Sequence, residues 1–295
     1  MHKVQAKGIL SQHGNMNIYR GCLHGCIYCD SRSKCYQIIH DFEDVEVKIN
    51  APLLLETALK KKRKKIRIGT GGMSDPYVPL EKELELTRKC LEIIEKYGFG
   101  LSILTKSDLI LRDLDILLKI HQNAHCYVMM TLTTADDSLC RIVEPNVVPT
   151  SKRVEVLKKC HELGIPTIVW FCPILPMIND TEENVLRIVK MCQEAGVEGI
   201  LTFGMGMTLR EGDREYYYAK LDQYFPGLRE KYEAFYGNAY EIPSPHAKEL
   251  MRVFKMACSE AKIECRPDVL FKRMYQLPPK YRQLSLFEEM EESVK

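Results

Sequence analysis

Residues 99–133 read FGLSILTKSDLILRDLDILLKIHQNAHCYVMMTLT. Residues 101–105 form a short β-favouring run. Residues 109–121 place apolar side chains three and four apart, as on one face of a helix, and residues 126–133 form a second apolar run rich in β formers. This strand–helix–strand unit is the repeating theme of the chain. Further strands are expected at residues 15–19, 65–69, 166–171 and 199–203. Helices are expected at 53–62, 80–97, 151–163 and 181–195. Glycines at the joins, among them Gly98, Gly164 and Gly196, can end a helix in the left-handed conformation. Such alternation predicts an α/β protein with a parallel sheet. Six βα units are too few for an eight-stranded barrel, so the expected architecture is a partial (β/α)6 TIM-like barrel at residues 1–210, with functional groups at the C-terminal ends of its strands. The composition changes in residues 211–276, which read as a C-terminal helical extension, and residues 277–295 read as an exposed tail.

The chain has 295 residues, 45% of them hydrophobic and 28% charged, with a formal net charge of +2. This is the make-up of a globular protein; it gives no argument for a globally basic nucleic-acid binder and leaves room for a local basic face. The longest apolar stretch, residues 167–178, is too short to span a bilayer and contains prolines, so no membrane partner is expected and the cytoplasm is the expected location. Twelve cysteines without an export signal are expected to be reduced. Cys90, Cys160 and Cys192 lie among aliphatic residues at helical spacing and read as core thiols. The basic run at residues 60–65 precedes the second barrel strand. It therefore reads as a solvated face at the end away from the chemistry. The tyrosines at 216–218 and Tyr224 offer base-stacking surfaces but more commonly pack helices.

Residues 20–29 read RGCLHGCIYC and place Cys22, Cys26 and Cys29 in a C-x3-C-x2-C spacing just after the first barrel strand. Three thiolates on one loop suit soft metal centres. A [4Fe-4S] cube held by three cysteines leaves one iron open. That iron can chelate the amino and carboxylate groups of S-adenosylmethionine, whose sulfonium is cleaved when it receives an electron. The competing reading is a zinc site completed by His24, Cys35 or another residue.

The triplet, with Tyr28 before its last cysteine, resembles the radical S-adenosylmethionine superfamily. Residues 69–77 (GTGGMSDPY), 104–107 (LTKS) and 112–115 (RDLD) extend the likeness to its spore photoproduct lyase-like group. The resemblance implies that the loop with Gly71, Gly72, Ser74 and Asp75 meets the cofactor's amino group, and that Tyr28 lies beside the cluster. Lys106 would pair with the carboxylate, Thr131 and Thr133 with ribose or carboxylate, and Pro173 and Asn179 would line the adenine pocket. It also implies an external one-electron donor. The sequence departs from the lyases at Gly72, where they carry the cysteine that donates hydrogen, and at Asp30, where they carry tyrosine. Cys35 and Cys172 are the replacement thiol candidates.

Residues 283–287 read QLSLF and resemble the pentapeptide by which bacterial repair proteins dock on the sliding clamp. Gln283, Leu284, Leu286 and Phe287 would be its anchors, implying recruitment to DNA. The expectation is hydrogen abstraction from a nucleic acid, in DNA repair or modification. The alternatives are an RNA, peptide or small-molecule substrate, or a non-catalytic iron–sulfur module at the clamp.

Overall fold

The structure is a computed structural model describing residues 1–277. The clamp-like segment at 283–287 lies outside the described residues. In the first half, β1 (His2–Val4), β2 (Asn15–Met16), β3 (Tyr19–Arg20), β4 (Glu46–Lys48) and α1 (Ala51–Lys61) precede β5 (Arg67–Thr70). Then come α2 (Glu81–Leu84), α3 (Leu86–Lys96), β6 (Gly100–Thr105), α4 (Leu114–Ala124) and β7 (Cys126–Thr131). The expected six-stranded parallel sheet is present. It runs in chain order, from β2 through β5, β6 and β7 to β8 (Thr167–Trp170) and β9 (Gly199–Leu201). Its central strands are buried on both faces, and every residue of β7 is buried. This is why residues 126–131 read as a continuous apolar run and not as an alternation.

Three expectations are corrected. The strand expected at 15–19 divides: β2 pairs with β5 in the barrel sheet, whereas β3 leaves it and runs antiparallel to β4. The helix expected at 80–97 is two helices, separated at Glu85 in the left-handed conformation. The buried Glu81 carboxylate explains the break, because it accepts hydrogen bonds from the Thr87 and Arg88 amides in the first turn of α3, at 3.0 and 3.3 Å. A negative group there satisfies free N–H groups and meets the positive end of the helix dipole. The helix expected at 109–121 begins as a 3-10 turn over Asp108–Asp113 and becomes α-helical only at Leu114.

On the outer face of the sheet, α5 (Asp137–Val143), α6 (Thr150–Glu162) and α7 (Glu182–Glu194) join the earlier helices. Cys90, Cys160 and Cys192 are fully buried in this layer. After β9 come the antiparallel pair β10 (Gly206–Thr208) and β11 (Glu241–Pro243), with α8 (Asp213–Tyr224) and α9 (Leu228–Tyr236) between them. Tyr217, Tyr218 and Tyr232 make a second core with Cys26, Ile27 and Tyr28. The middle and last residues of the tyrosine triplet therefore pack the cysteine loop from behind. Tyr216 stacks on the Arg32 guanidinium instead, 3.7 Å from its ring centroid.

Leu250 and Phe254 of α10 (Ala247–Ala261) join the main core. The last helix among the described residues, α11 (Pro267–Tyr275), turns back across the concave face of the sheet and buries Leu270 and Met274 against Tyr127, Met129, Ile168 and Leu201. Each of those two side chains contributes about 1.5–3 kcal/mol. Among the described residues no helix is long and apolar enough to cross a membrane.

Candidate cofactor site at the rim of the barrel

The cysteine loop follows β3 and is tied to loops that leave the C-terminal ends of the barrel strands. Behind β5, the Ser74 hydroxyl donates to the Gly21 carbonyl at 2.6 Å. Beyond β7, the Ile27 amide donates to the Val143 carbonyl at 3.0 Å, the Asn146 side chain to Leu23 O at 2.9 Å, and the Asn146 amide to His24 O at 3.1 Å. Gly21 has a positive φ, and a β-carbon there would stand 2.4 Å from Phe42 O. The turn that presents Cys22 thus requires glycine.

Cys22, Cys26 and Cys29 are free thiols, the first two buried and the third partly so. Burial pushes the Cys22 thiol up to about 12 and raises the other two; the Lys106 charge opposes the rise at Cys26 and Cys29. Such thiols stay protonated until a metal takes the proton's place. In a tetrahedral zinc site with Zn–S bonds of about 2.3 Å, the sulfurs would sit about 3.8 Å apart. Among the described residues, the only group of three or more His, Cys, Asp and Glu side chains whose ligand atoms all lie within 4.8 Å of one another is His2, His40 and Asp44. The three thiols are thus not drawn together as a zinc tetrahedron would hold them, and three soft sulfur donors on one loop are the donor set that an iron–sulfur cluster takes. His24 and Cys35, the residues invoked to complete a zinc site, point elsewhere. The buried His24 ring lies 3.4 Å from Asp75, and burial lowers its pKa against the pull of that carboxylate. Cys35 is exposed, 3.4 Å from the Arg210 guanidinium.

The other candidates converge on the same rim, several of them in supporting positions. Asp75 accepts hydrogen bonds from the Tyr77 amide, the Thr105 hydroxyl and the Lys106 amide, at 2.8, 2.7 and 2.8 Å. It therefore locks the loop after β5 to the loop after β6. Asn179 donates to the Thr133 carbonyl at 2.9 Å and accepts from the Leu175 amide at 2.6 Å, which fixes the segment that follows Pro173. The Thr133 hydroxyl, by contrast, is buried and has no partner. An orphaned hydroxyl at the end of β7 is a signal for a ligand. Lys106 Nζ lies 5.9 Å from the Tyr28 ring centroid. Burial works against its charge, but the field of Cys26 and Glu144 prevails and raises its pKa. Cys172 is partly exposed at the end of β8. Its thiol is pushed up to about 12 by burial, with Lys106 acting in the opposite direction.

The two glycines of the loop after β5 differ. A β-carbon on Gly71, whose φ is +100°, would fall 1.9 Å from Leu104 O, whereas one on Gly72 meets nothing within 4 Å. Gly71→Ala should lower stability by about 2–4 kcal/mol through clash and backbone strain. Gly72→Ala should stay within about 0.5 kcal/mol. Urea midpoints measured side by side will check the pair.

Two buried charge networks beneath the rim were not foreseen. Arg153 and Glu144, both fully buried, form an ion pair, and Tyr28 donates its hydroxyl to the same carboxylate. Arg153 also donates to the carbonyls of Thr131 and Val148, at 2.6 and 2.9 Å. Burial alone would raise the Glu144 carboxyl, but the charges of Arg153 and Lys106 hold it below its ordinary value. In the second network, buried Asp113 accepts from the Tyr77 hydroxyl, Arg88 and Arg112, while Arg112 also reaches Glu81. The Arg112-Asp113 dipeptide belongs to the segment that carries the family likeness. Glu144 and Arg153 give no comparable signal, since Arg153 follows Lys152 in a polar stretch that reads as an exposed helix face.

Known proteins bear on this geometry. An uncharacterized protein of Methanocaldococcus jannaschii is 37% identical over 169 residues, which are 57% of this chain and 62% of that one. Another, from Mycobacterium tuberculosis, is 28% identical over 265 residues, 85% of this chain and 75% of its own length. Among solved structures, a point mutant of spore photoproduct lyase superposes with a TM-score of 0.64 at 14% identity, covering 89% of this chain and 79% of that one. Spore photoproduct lyase complexed with a dinucleoside spore photoproduct gives 0.61 at 14% identity, covering 84% and 74%. These similarities establish a shared fold. The family model of the Radical SAM superfamily matches residues 16–187, a span holding the cysteine loop, the rim and four of the six barrel strands whole. With that match the chain belongs to the Radical SAM superfamily, and its cofactors are a [4Fe-4S] cluster and S-adenosylmethionine.

Proposed function

We propose that this enzyme acts on a nucleic acid, DNA in particular, and that Cys22, Cys26 and Cys29 ligate the cluster. The observation that carries this reading is the set of three free thiols on one loop, tied to the C-terminal ends of a parallel sheet. When bound, the cluster and cofactor supply a 5′-deoxyadenosyl radical, which needs an electron from an external donor.

The chain's own residues hold and orient. Lys106 pairs with the cofactor carboxylate as a charge held beside Tyr28. The open backbone at Gly72 receives the amino end, while Gly71, Ser74 and Asp75 keep that loop in place. Thr133 gives its unpartnered hydroxyl to the ribose or carboxylate, together with Thr131. Pro173 borders the adenine, and Asn179 holds its segment. Of the two thiols considered as hydrogen donors, Cys172 is favoured, because it follows the C-terminal end of β8 at the barrel rim whereas Cys35 is exposed and faces Arg210.

DNA is favoured over other substrates by two things: the QLSLF tail, which would recruit the enzyme to the clamp, and the fold shared with an enzyme solved with a dinucleoside photoproduct. The test is to incubate reduced, cofactor-loaded enzyme with deuterated DNA and follow deuterium into 5′-deoxyadenosine, with RNA and peptide as comparisons. Transfer from DNA alone supports the reading. Transfer only from RNA or peptide would overturn the choice of substrate. Repeating the assay on clamp-loaded DNA with residues 283–287 deleted should reduce turnover there and leave turnover on free DNA unchanged.

A further inference from the structure

Inside the barrel, on the concave face of the sheet, lies a cavity of about 470 Å³ bordered by Arg67, Ser102, Met129, Trp170, Phe271 and Tyr275. This volume lies within the range of small-ligand sites. It opens upward to Thr70 and Gly72, the loop assigned above to the cofactor, so a molecule bound in it would lie next to the chemistry.

Arg67 is the only charged residue among the described residues that line it. Its guanidinium donates to the Ser102 and Tyr275 hydroxyls and packs 4.4 Å from the Tyr275 ring centroid, and its Nε is buried without a partner. Among the described residues no carboxylate pairs with it. Gly69 leaves the room it occupies, since a β-carbon there would stand 2.9 Å from Arg67 Nη1. A half-buried guanidinium without a counter-ion is costly, and an anionic ligand would offset that cost. The aromatic groups are on the same face. The rings of Trp170 and Phe203 meet at 5.3 Å between centroids, and Phe203 stacks on Phe271 at 6.5 Å. Phe203 is 61% exposed, far more than an ordinary core phenylalanine. Exposed aromatic faces bind nucleobases by stacking, which contributes about 1–3 kcal/mol per base.

We propose that this cavity receives the substrate nucleotide, with Arg67 pairing with a phosphodiester oxygen and the Trp170 cluster taking a base. The proposal rests on the nucleic-acid reading above and adds the residue that recognises the backbone. Trp170 is the only tryptophan of the chain, so any change in tryptophan emission arises at a side chain that lines this cavity. The probes are thymidylyl-thymidine and its uncharged methylphosphonate analogue, titrated into cofactor-loaded protein, with Trp170 emission reporting the cavity and equilibrium dialysis reporting total binding. Thymidylyl-thymidine should change the emission saturably, and Arg67→Gln should weaken its binding at least tenfold, about 1.4 kcal/mol. The analogue should bind wild type as weakly as the natural probe binds the variant. If Arg67→Gln fails to fold, the comparison of the two probes on wild type decides. The cavity assignment is overturned, with the nucleic-acid reading intact, if thymidylyl-thymidine binds by dialysis without altering Trp170, or if charge removal on either partner leaves affinity unchanged. Binding of neither probe by either method sinks both readings together.

Discussion

Reconstituted anaerobically with iron and sulfide, Cys26→Ala is expected to lack the broad visible absorption of an iron–sulfur cluster and to form 5′-deoxyadenosine only at the level of a protein-free control. Wild type is expected to assemble the cluster and to cleave S-adenosylmethionine when dithionite is added. The effect should be all-or-none, because a cube tied by two thiolates has two open irons and no defined place for the cofactor. The substitution itself is mild for the fold. Cys26 is a small buried group in the core formed by Ile27, Tyr28 and Val143, and its loss should cost about 1 kcal/mol. Unchanged far-ultraviolet circular dichroism would therefore separate loss of the cluster from loss of structure. Cys35→Ala should behave as wild type. A variant that kept full cluster content and activity would remove Cys26 from the ligand set, and zinc retention indifferent to sulfide would revive the tetrahedral reading.

The largest effect on stability is expected at Arg153. Replacing it with methionine leaves the Glu144 carboxylate buried, with only the Tyr28 hydroxyl and the Cys140 thiol as partners. Breaking a buried pair from one side costs about 3–5 kcal/mol. For a chain of this size that should lower the melting temperature by roughly 10 °C. The pH dependence follows from the direction of the shift. In wild type the Glu144 pKa is depressed, so its contribution is present above the unfolded value of about 4.3 and is lost as pH falls through the folded value. Without Arg153, only the Lys106 charge and the Tyr28 hydroxyl still oppose burial, so the Glu144 pKa rises relative to wild type and less stability is lost on acidification. The stability gap between wild type and Arg153→Met should therefore narrow on acidification. Adding Glu144→Gln should recover part of the loss at neutral pH. A gap that is constant from acid to neutral pH would show that the pair is not charged in the folded protein.

The barrel was legible because its signals are local. The apolar runs at 101–105 and 126–131 and the stripe of Leu86, Cys90, Leu91 and Ile94 report burial through their own spacing. The candidate cysteine triplet could be read for the same reason, since three thiols on one loop keep their spacing wherever the loop goes. Where the local signal failed, a distant group had acted. Residues 80–97 have a continuous helical pattern, yet the Glu81 side chain caps a new helix, and it is held there by Tyr19 and Arg112 from other parts of the chain.

The supporting shell could be decided only by folding. Asp75 reads as a cofactor ligand in a turn, but its oxygens go to Thr105 and Lys106, thirty residues away and more. Tyr28 and Glu144 are 116 positions apart, and no periodicity links them. The sequence by itself determined the order of the barrel strands, most of the helices between them and the spacing of the three thiols, because each depends on neighbours along the chain. The tertiary structure decided which charges are buried together, which loop holds the cysteines at the rim, and that α11 closes the concave face around Arg67. A buried charge is tolerable only beside its partner, and that partner is chosen by proximity in space.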